Sequence, residues 1–192
     1  MINKIYLEDY LMCVATSEMS GNCPLALLEA QTIVARSWIL AAAEKKHKDL
    51  GLDACNDDCC QRYQGIANIN KESIKAAKNT RGIILVHDGE ICDTRYSKSC
   101  GGISENNENV WDTDPKPYLI SVADSKSSKN NDVTSEKGFR QWIKKETSSF
   151  CGPEFIPESK LTKFLGSVDV QGQYFRWKVF YNNEAVSYTH LT

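Results

Sequence analysis

Apolar residues at helical spacing begin the chain. Leu7, Leu11 and Val14 recur at intervals of four and three residues, which predicts a helix over residues 6–18 with one buried face. Glu18 follows Val14 by four residues and therefore continues this apolar face instead of the solvated one. A carboxylate at the end of an apolar stripe is the first candidate for chemistry.

A second helix is predicted after a short break. Residues 20–22, Ser-Gly-Asn, interrupt the pattern, and Pro24 can stand in the first turn of a helix because its missing N–H would be unpaired there. The periodic pattern continues to about residue 44. Residues 33–43 are apolar on nearly every side of this helix, which predicts that it is buried.

A β-hairpin is predicted in the middle of the chain. Residues 51–65 are loop-like, and residues 71–79 are predicted to form a short helix. Two apolar runs, residues 83–86 and 91–96, then flank the dipeptide Asp88-Gly89, which tolerates the positive φ angles of a tight turn. This pattern is typical of two antiparallel strands joined by two residues.

Strand patterns continue into the second half of the chain. Short strands are predicted at residues 110–111 and 118–122. A helix is expected over residues 139–145, with strands near Val168 and over residues 174–181. Together the elements predict an α+β fold, in which N-terminal helices pack on a small, largely antiparallel β-sheet.

The composition excludes several classes of function. Of 192 residues, 41% are apolar and 25% are charged, as in soluble globular proteins. The 23 basic residues face 25 acidic ones, so nucleic acid is not an expected partner. The longest apolar stretch, residues 33–43, is shorter than the roughly 20 residues that a membrane-spanning helix needs. We expect a fragment at both ends, because neither a secretory signal nor a completed last strand is recognisable.

The position of Glu18 suggests a general acid. Loss of solvation on an apolar face favours the protonated form of a carboxyl group, which can donate to a leaving oxygen. The alternative is a structural glutamate at a helix end, paired with a buried base. From this pattern alone we favour the structural alternative, because most carboxylates have structural or solvated positions.

Arg36 is the only charged residue within residues 33–43 and needs a partner if that helix is buried. It could pair with Glu18, or its guanidinium could donate hydrogen bonds to a polar ligand. It could also extend to solvent from a partly exposed helix. The sequence leaves these interpretations open.

A cysteine cluster suggests a metal site. Of eight cysteines, Cys55, Cys59 and Cys60 fall within six residues, and His47 lies eight residues before the first of them. Adjacent cysteines are poor disulfide partners for each other. Three thiolates and one imidazole are a known ligand set for structural zinc with tetrahedral geometry. Ordinary thiols, or a disulfide from Cys55, are the alternative.

Cys100, followed by two glycines, could be a thiol nucleophile. Its base would be His47, His87 or His190, and the spacing brings none of them close. The glycines are equally well explained by a turn that needs positive φ angles.

Short motifs in one order resemble the SpoIID/LytB family. The first are Tyr6-Leu7, Val14-Ala15-Thr16-Ser17-Glu18-Met19, residues 24–31 (Pro-Leu-Ala-Leu-Leu-Glu-Ala-Gln) and Ala35-Arg36-Ser37. The later ones are residues 55–65, Thr80-Arg81-Gly82, Ser99-Cys100-Gly101-Gly102, Ser104-Glu105-Asn106, Val110-Trp111 and Pro117-Tyr118-Leu119. Each motif is short, but their common order over residues 6–125 makes the resemblance specific.

The resemblance implies a lytic transglycosylase, which cuts the peptidoglycan strand between MurNAc and GlcNAc and leaves a 1,6-anhydro end. Glu18 would take the place of the family's catalytic glutamate and act first as general acid and then as base. Ordinary glycosidases use two carboxylates instead. Arg36, Tyr96, Ser99 and Glu105 would lie near a glycan groove formed by long loops.

The sequence departs from the family pattern at three positions. Cys59 stands where the family has a histidine, so one zinc ligand is exchanged for another. Ser97 stands where a histidine is common, and Cys100 where a serine is common. The implied metal is structural zinc held by His47, Cys55, Cys59 and Cys60, with no organic cofactor.

The resemblance also implies a domain organisation and partners. A catalytic domain would cover residues 1–125, and residues 126–192 would continue or extend it. The implied partners are peptidoglycan glycan strands and other cell-wall hydrolases, and the implied location is the cell envelope outside the cytoplasm. The alternative function is a non-catalytic peptidoglycan-binding module that stimulates a cell-wall amidase.

Overall fold

Helices dominate the computed structural model, which describes residues 2–41, 46–57, 59–97, 100, 102–111, 113–125, 134–144, 149–150, 155–160 and 163. The α-helices are α1 (Leu7–Glu18), α2 (Leu25–Ala41), α3 (Lys71–Asn79), α4 (Asn107–Val110) and α5 (Glu136–Lys144). The strands are β1 (Val86–His87) and β2 (Glu90–Ile91), and short 3-10 helices cover Lys48–Leu50, Gly65–Asn68 and Glu158–Lys160.

The core lies between the first three helices, which pack against one another. Leu11 and Val14 of α1 are fully buried against Ala35 of α2. A second cluster joins Leu28 of α2 to Ala76 of α3. Fully burying one such leucine or valine side chain stabilises the fold by about 1.5–3 kcal/mol. The apolar spacing therefore predicted α1 correctly, and the bounds predicted for α3 agree with those observed.

Side-chain and main-chain caps set the helix starts. The Ser73 N–H donates to Asn70 Oδ1 at 2.9 Å, and the Asn70 N–H donates to Ser73 Oγ at 3.1 Å, so α3 begins with a reciprocal capping box. The amides of Leu27 and Leu28 donate to the Pro24 carbonyl at 2.9 and 3.2 Å. Pro24 therefore stands at the start of α2, as its missing N–H predicted.

The predicted hairpin is confirmed, but its strands are two residues each, and the rest of the predicted runs 83–86 and 91–96 is not in strands. Val86 pairs with Ile91 and His87 with Glu90 in an antiparallel register. The turn residues Asp88 and Gly89 have φ angles of 50° and 83°, the positive values that their sequence predicted. With helices and this small antiparallel sheet, the described part of the chain has an α+β fold.

The two strands predicted after the hairpin are wrong. Val110 ends the short helix α4, and the Trp111 amide donates to the Asn107 carbonyl at 2.9 Å. Residues 118–122 form no strand, and one isolated bridge joins Ile103 to Ala123 nearby. Residues 102–107 lie beside this segment, where the Ser104 amide donates to the Val122 carbonyl at 2.9 Å and the Asn107 amide to the Leu119 carbonyl at 3.0 Å. The Ser121 and Val122 amides, however, donate to side chains, Asn106 Oδ1 and Ser104 Oγ.

The predictions for the burial of α2, for the start of α5 and for the last strands remain to be compared with the structure. The predicted burial of α2 on all sides is wrong for its last turn, where Leu40 is 44% exposed. Helix α5 begins at Glu136, three residues before the predicted start. The strands predicted at Val168 and residues 174–181 lie outside the described residues. Within the described part, every helix is too short or too polar to cross a membrane.

Candidate active-site cleft and metal cluster

Glu18 is the last residue of α1 and is held by two hydrogen-bond donors. The Arg62 backbone N–H donates to Glu18 Oε1 at 2.8 Å, and the Tyr96 hydroxyl donates to the same oxygen at 3.0 Å. Among the described residues, none donates a hydrogen bond to Oε2. The carboxyl group is therefore fixed through one oxygen while the other is available for a ligand.

The segment of residues 61–64 is anchored on α1 and α2. Gln61 is 1% exposed, and its amide nitrogen donates to the Ala35 carbonyl at 3.2 Å while its amide oxygen accepts from the Tyr10 hydroxyl at 3.0 Å. The Gln64 amide donates to Ser17 Oγ at 3.0 Å. Alternate amides of this segment thus bind the side chains of two successive residues at the end of α1.

An aromatic stack and a second anchor add to this arrangement. The rings of Tyr10 and Tyr63 are stacked with centroids 5.6 Å apart. Ser17 Oγ also donates to the Cys13 carbonyl at 2.7 Å, which fixes its lone pairs toward the incoming amide. These contacts anchor residues 61–64 to the end of α1, although the bond from the Arg62 amide to Glu18 is itself exposed.

A cleft of about 320 Å³ opens above Glu18. Its described lining is aromatic and basic, and Glu18 is the only acidic residue in it: the other members are Trp38, Lys46, Cys59, Cys60, Gln61, Arg62, Thr94, Arg95, Tyr96 and Trp111. Ligand sites of proteins have volumes of about 300–1,000 Å³ and combine aromatic walls with a few polar groups. The cleft lies at the small end of that range and has three aromatic side chains, but most of its described lining is polar.

One wall of the cleft is held by an ion pair. Arg95 Nη2 lies 2.9 Å from Asp93 Oδ2, and the two side chains are 10% and 5% exposed. The Arg95 guanidinium lies 4.9 Å from the centroid of the Trp111 ring, in a cation–π contact. Thr94 Oγ1 donates to the Val34 carbonyl at 2.7 Å, which ties this wall to α2.

Burial and the neighbouring Glu18 carboxylate raise the pKa of Tyr96 well above the ordinary tyrosine value. Burial, followed by the nearby thiols and Glu18, raises the pKa of Tyr10 as well. Both hydroxyls therefore stay protonated over the working pH range of proteins. Tyr96 is a permanent donor to Glu18.

Arg36 pairs with Glu8 and not with Glu18, which was one of the interpretations that the sequence left open. Its side chain is 1% exposed, and its Nη2 and Nε donate to the two oxygens of Glu8 at 2.7 and 3.0 Å. A third donor, Nη1, bonds the Ile83 carbonyl at 3.0 Å. Arg36 thus links α1, α2 and the approach to the hairpin inside the protein, a position that does not favour contact with a substrate.

The predicted metal ligands meet at one point. One donor atom from each of His47, Cys55, Cys59 and Cys60 lies within 4.8 Å of the others. The Cys55 and Cys59 sulfurs are 3.2 Å apart, and the Cys59 sulfur is 3.7 Å from His47 Nε2. Tetrahedral zinc, with bonds of about 2.0–2.3 Å to nitrogen and sulfur, needs four donors at such separations. The donor set fits zinc.

The thiols of this cluster influence one another. Burial opposes ionisation of Cys55, but hydrogen bonds from the Asp57 amide and from the thiols of Cys59 and Cys60 lower its pKa below the ordinary value. The hydrogen bond with Cys55 raises the pKa of Cys59 to about 11, and burial raises the pKa of Cys60. One thiol is thereby favoured as thiolate.

The metal cluster adjoins the cleft. Cys59 and Cys60 belong to the cleft lining, and Cys60 directly precedes the segment that holds Glu18. Lys46 Nζ donates to the Cys59 carbonyl at 3.2 Å. A metal at this point would therefore fix one edge of the cleft as well as the entry to residues 61–64.

Two other expected residues do not meet at the cleft. Glu105 is exposed and outside the described lining, where its carboxylate accepts from Asn109 Nδ2 and from the Asn106 amide, each at 2.8 Å. These two hydrogen bonds, the side-chain one first, lower the pKa of Glu105. Cys100 Sγ lies 3.7 Å from Asp124 Oδ2, also outside that lining. Ser99 lies outside the described residues.

Several site residues had no separate signal in the sequence. Gln61, Arg62 and Tyr10 contribute through hydrogen bonds across 44 to 51 residues of chain. Trp38 was counted as part of an apolar helix, and Arg95 as part of a strand. The burial of Gln61 is a finding of the structure, and no sequence pattern indicated it.

The described residues form an α+β fold with an aromatic, basic cleft. One carboxylate, that of Glu18, lies in the cleft, and a cluster of one histidine and three cysteines lies at its edge. The stage II sporulation protein (SpoIID) family model matches residues 1–87, which contain α1 to α3, the cluster and β1. This match confirms the resemblance to the SpoIID family that the ordered motifs predicted.

Named relatives agree with this assignment. A stage II sporulation protein D of Bacillus amyloliquefaciens is 27% identical over 188 residues, which cover 90% of this chain and 50% of that protein. An amidase enhancer of Bacillus subtilis (strain 168) is 33% identical over 113 residues, or 59% of this chain and 15% of that protein.

An uncharacterized protein of Brachyspira hyodysenteriae is 33% identical over 122 residues, or 64% of this chain and 33% of that protein. The chain thus spans half or less of the length of each of these three relatives. No solved structure matches the chain.

Proposed function

We propose that this chain is a peptidoglycan lytic transglycosylase in which Glu18 is the sole general acid and base. The observation that carries the proposal is the arrangement of Glu18 in the cleft. Its Oε1 accepts two hydrogen bonds, and its Oε2 receives none from the described residues. One oxygen can thus hold the geometry while the other exchanges a proton with the substrate.

The reaction needs one carboxyl group used twice. Protonated Glu18 donates to the glycosidic oxygen between MurNAc and GlcNAc as the bond from that oxygen to C1 of MurNAc breaks. The carboxylate then takes the proton of the MurNAc C6 hydroxyl, whose oxygen bonds to C1 and closes the 1,6-anhydro ring. No water is consumed, and Glu18 ends in its starting protonation state.

The two donors have distinct roles in this scheme. The Arg62 amide and the Tyr96 hydroxyl orient the carboxyl group and stabilise the negative charge that remains after Glu18 has given up its proton. Because burial keeps Tyr96 protonated, this donor is present throughout the cycle. Trp38 and Trp111 provide apolar faces against which sugar rings can pack.

Structural zinc at His47, Cys55, Cys59 and Cys60 completes the proposal. Four protein ligands leave no open position for substrate or water, so the ion would stabilise the fold and take no part in bond cleavage. It would hold the chain immediately before residues 61–64, and so support the amide that binds Glu18. The cell envelope, where peptidoglycan is found, is the proposed location.

The second candidate is a non-catalytic module that binds peptidoglycan and stimulates a cell-wall amidase. The similarity to a protein named amidase enhancer favours it. In that case the cleft would bind glycan without cutting it, and the partner would be another cell-wall hydrolase. A thiol hydrolase based on Cys100 has less support, because this residue is outside the described lining of the cleft.

The decisive experiment compares Glu18→Gln with Glu72→Gln on purified sacculi, with mass spectrometry of the released fragments. Glu72 is an exposed glutamate of α3, so its substitution is a matched control. We expect the wild-type protein and Glu72→Gln to release 1,6-anhydro ends and Glu18→Gln to release none. Cys100→Ser is expected to leave release unchanged.

Other products would point to other functions. Reducing ends in place of anhydro ends would mean that water attacks C1 and that the protein is a hydrolase. Binding of sacculi without any release, by wild-type protein with its full metal content, would favour the amidase-stimulating module. Loss of release in Cys100→Ser alone would favour the thiol hydrolase.

A further inference from the structure

Two thiols of the metal cluster lie close enough to bond to each other. The Cys55 and Cys59 sulfurs are 3.2 Å apart, and three residues separate these cysteines in the sequence. Adjacent cysteines such as Cys59 and Cys60 are poor disulfide partners, because the geometry of the bond is specific. Cys55 and Cys59 therefore have two alternative uses, as two of four metal ligands or as the two halves of a disulfide.

The closest pair of thiols is also open to small oxidants. Cys59 is exposed and Cys55 is half-buried, whereas Cys13, Cys23 and Cys92 are buried. Oxidation of a thiol follows its exposure, and buried structural cysteines are inert. A peroxide in solution can therefore reach the Cys59 sulfur directly, with the Cys55 sulfur beside it as the second thiol.

The metal cluster lies next to the segment that holds Glu18. Cys60 directly precedes Gln61, and the following amide, that of Arg62, donates to Glu18 Oε1 at 2.8 Å in an exposed hydrogen bond. The Gln61 side chain anchors this segment inside the protein. The chain just before it is held at the cluster, so a change in the ligands there acts on the exposed bond to Glu18.

We propose that the cluster is a redox switch, in which a peroxide joins Cys55 to Cys59, releases the metal and loosens residues 61–64 beside Glu18. The inference rests on the proposed zinc site and is independent of the reaction proposed for Glu18. Disulfides persist outside the reducing cytoplasm, and the proposed location of the protein is there.

The chemistry balances with one peroxide for each disulfide. The Cys59 thiolate attacks one oxygen of hydrogen peroxide, the O–O bond breaks, and hydroxide leaves as Cys59 becomes a sulfenic acid. The Cys55 thiolate then attacks the Cys59 sulfur, the S–O bond breaks, and a second hydroxide leaves as the disulfide forms. Protons from solvent convert both hydroxides to water. The two sulfurs lose two electrons, the peroxide gains them, and His47 and Cys60 are the ligands of the cluster that remain.

The test follows zinc and disulfide formation in the whole protein in its zinc-bound form. Hydrogen peroxide is added, a chelating dye measures the free zinc, and mass spectrometry of unreduced peptides locates the disulfide. We expect release of about one equivalent of zinc, a disulfide between Cys55 and Cys59, and rebinding of the zinc after dithiothreitol is added.

Hydrogen exchange measures the effect on the segment beside Glu18. The Arg62 and Gln64 amides donate to Glu18 and Ser17 at 2.8 and 3.0 Å, which slows their exchange with solvent. We expect exchange of residues 61–64 to become several-fold faster in the oxidised protein. Neither readout is catalytic activity, so the result does not depend on what Glu18 does.

Matched variants assign the effect to one pair of thiols. Cys59→His and Cys60→His each leave two thiols and two imidazoles, a known ligand set for zinc, but only Cys60→His keeps the close pair. We expect Cys60→His to release zinc like the wild type and Cys59→His to release it several-fold more slowly. Cys100→Ser, which removes a thiol outside the cluster, should behave like the wild type. If a variant does not retain zinc, the position of the disulfide in the wild type still identifies the pair.

Four results would overturn the inference. Protein isolated without zinc would exclude both the switch and the zinc site. Zinc that stays bound while Cys100 is oxidised would mean that the metal protects the cluster. Release with sulfinic or sulfonic acids that dithiothreitol does not reverse would mean damage and not a switch. Release with unchanged exchange of residues 61–64 would mean that the cluster does not support the segment beside Glu18. The sacculus assay of Glu18→Gln tests the proposed reaction separately from all four.

Discussion

Breaking the ion pair between Glu8 and Arg36 is expected to destabilise the protein unequally, depending on which partner is removed. The Arg36 side chain is 1% exposed and that of Glu8 is 27% exposed. Glu8→Met therefore leaves the buried Arg36 guanidinium without its ion-pair partner, which lowers the free energy of unfolding by about 3–5 kcal/mol. Arg36→Met leaves the Glu8 carboxylate without its partner, but water reaches this group, so we expect about half of that loss in the free energy of unfolding.

Chemical denaturation measures both losses, and in a thermal melt the larger one corresponds to a drop in Tm on the order of 10 °C. The double variant Glu8→Met/Arg36→Met should cost much less than the sum, because neither charge is left alone. The control is Glu136→Met: its partner Arg140 is 2.6 Å away, but both side chains are more than 70% exposed, so the loss should stay within about 0.5 kcal/mol.

The reasoning is refuted if Arg36→Met is as costly as Glu8→Met, or if the two losses simply add. The double variant also tests the substrate-binding role that the resemblance implied for Arg36. If it binds glycan as tightly as the wild type, Arg36 acts only in the interior. A folded double variant that has lost glycan binding would restore the substrate-binding role.

Three further predictions concern the site. Tyr96→Phe removes one donor to Glu18 and should lower kcat for sacculus cleavage about tenfold or more with little change in KM, since a hydrogen bond to a charged group contributes about 1.5–3 kcal/mol; an unchanged kcat would contradict this. Protein purified without added metal should carry about one equivalent of zinc, and Cys59→Ala less than about a quarter of one; a wild-type content below a quarter would rule out the zinc site. Burial raises the pKa of Tyr10 and Tyr96 in the folded protein above the ordinary value of 10.0, so both hydroxyls ionise at lower pH in the unfolded chain than in the folded one. Their contribution to the free energy of unfolding is therefore complete below pH 10 and declines above it. Urea titrations at increasing pH should show a shallower decline for Tyr10→Phe than for the wild type.

Local signals predicted the elements whose stabilising contacts are local. The bounds of α3 follow from its cap at Asn70, and the hairpin from the positive φ angles that Asp88 and Gly89 adopt. The strand expected at residues 118–122 does not form, because only part of its main chain bonds the neighbouring residues 102–107. Side chains bind two of its amides, those of Ser121 and Val122, and no periodic pattern predicts such contacts.

Local sequence patterns indicated some residues of the candidate site, but not the contacts between residues far apart in the chain. Periodicity placed Glu18 at the end of the apolar face of α1, and spacing within six residues predicted the thiol cluster, which the fold brings together with His47. The hydrogen bond from Tyr96 to Glu18 spans 78 residues, and the resemblance, not the pattern, drew attention to Tyr96. The ion pair of Arg36 spans 28 residues, and the sequence did not indicate Glu8 as its partner.

The backbone amide of residue 62 makes the contact with Glu18. The position of Glu18 therefore does not depend on which side chain stands at position 62. Almost any residue other than proline supplies that amide, so the side chain at position 62 can change without removing the donor. The same holds at position 64, whose amide binds Ser17. The side chains at the rim of the cleft can therefore be exchanged while the main chain continues to hold Glu18, the proposed general acid, in place.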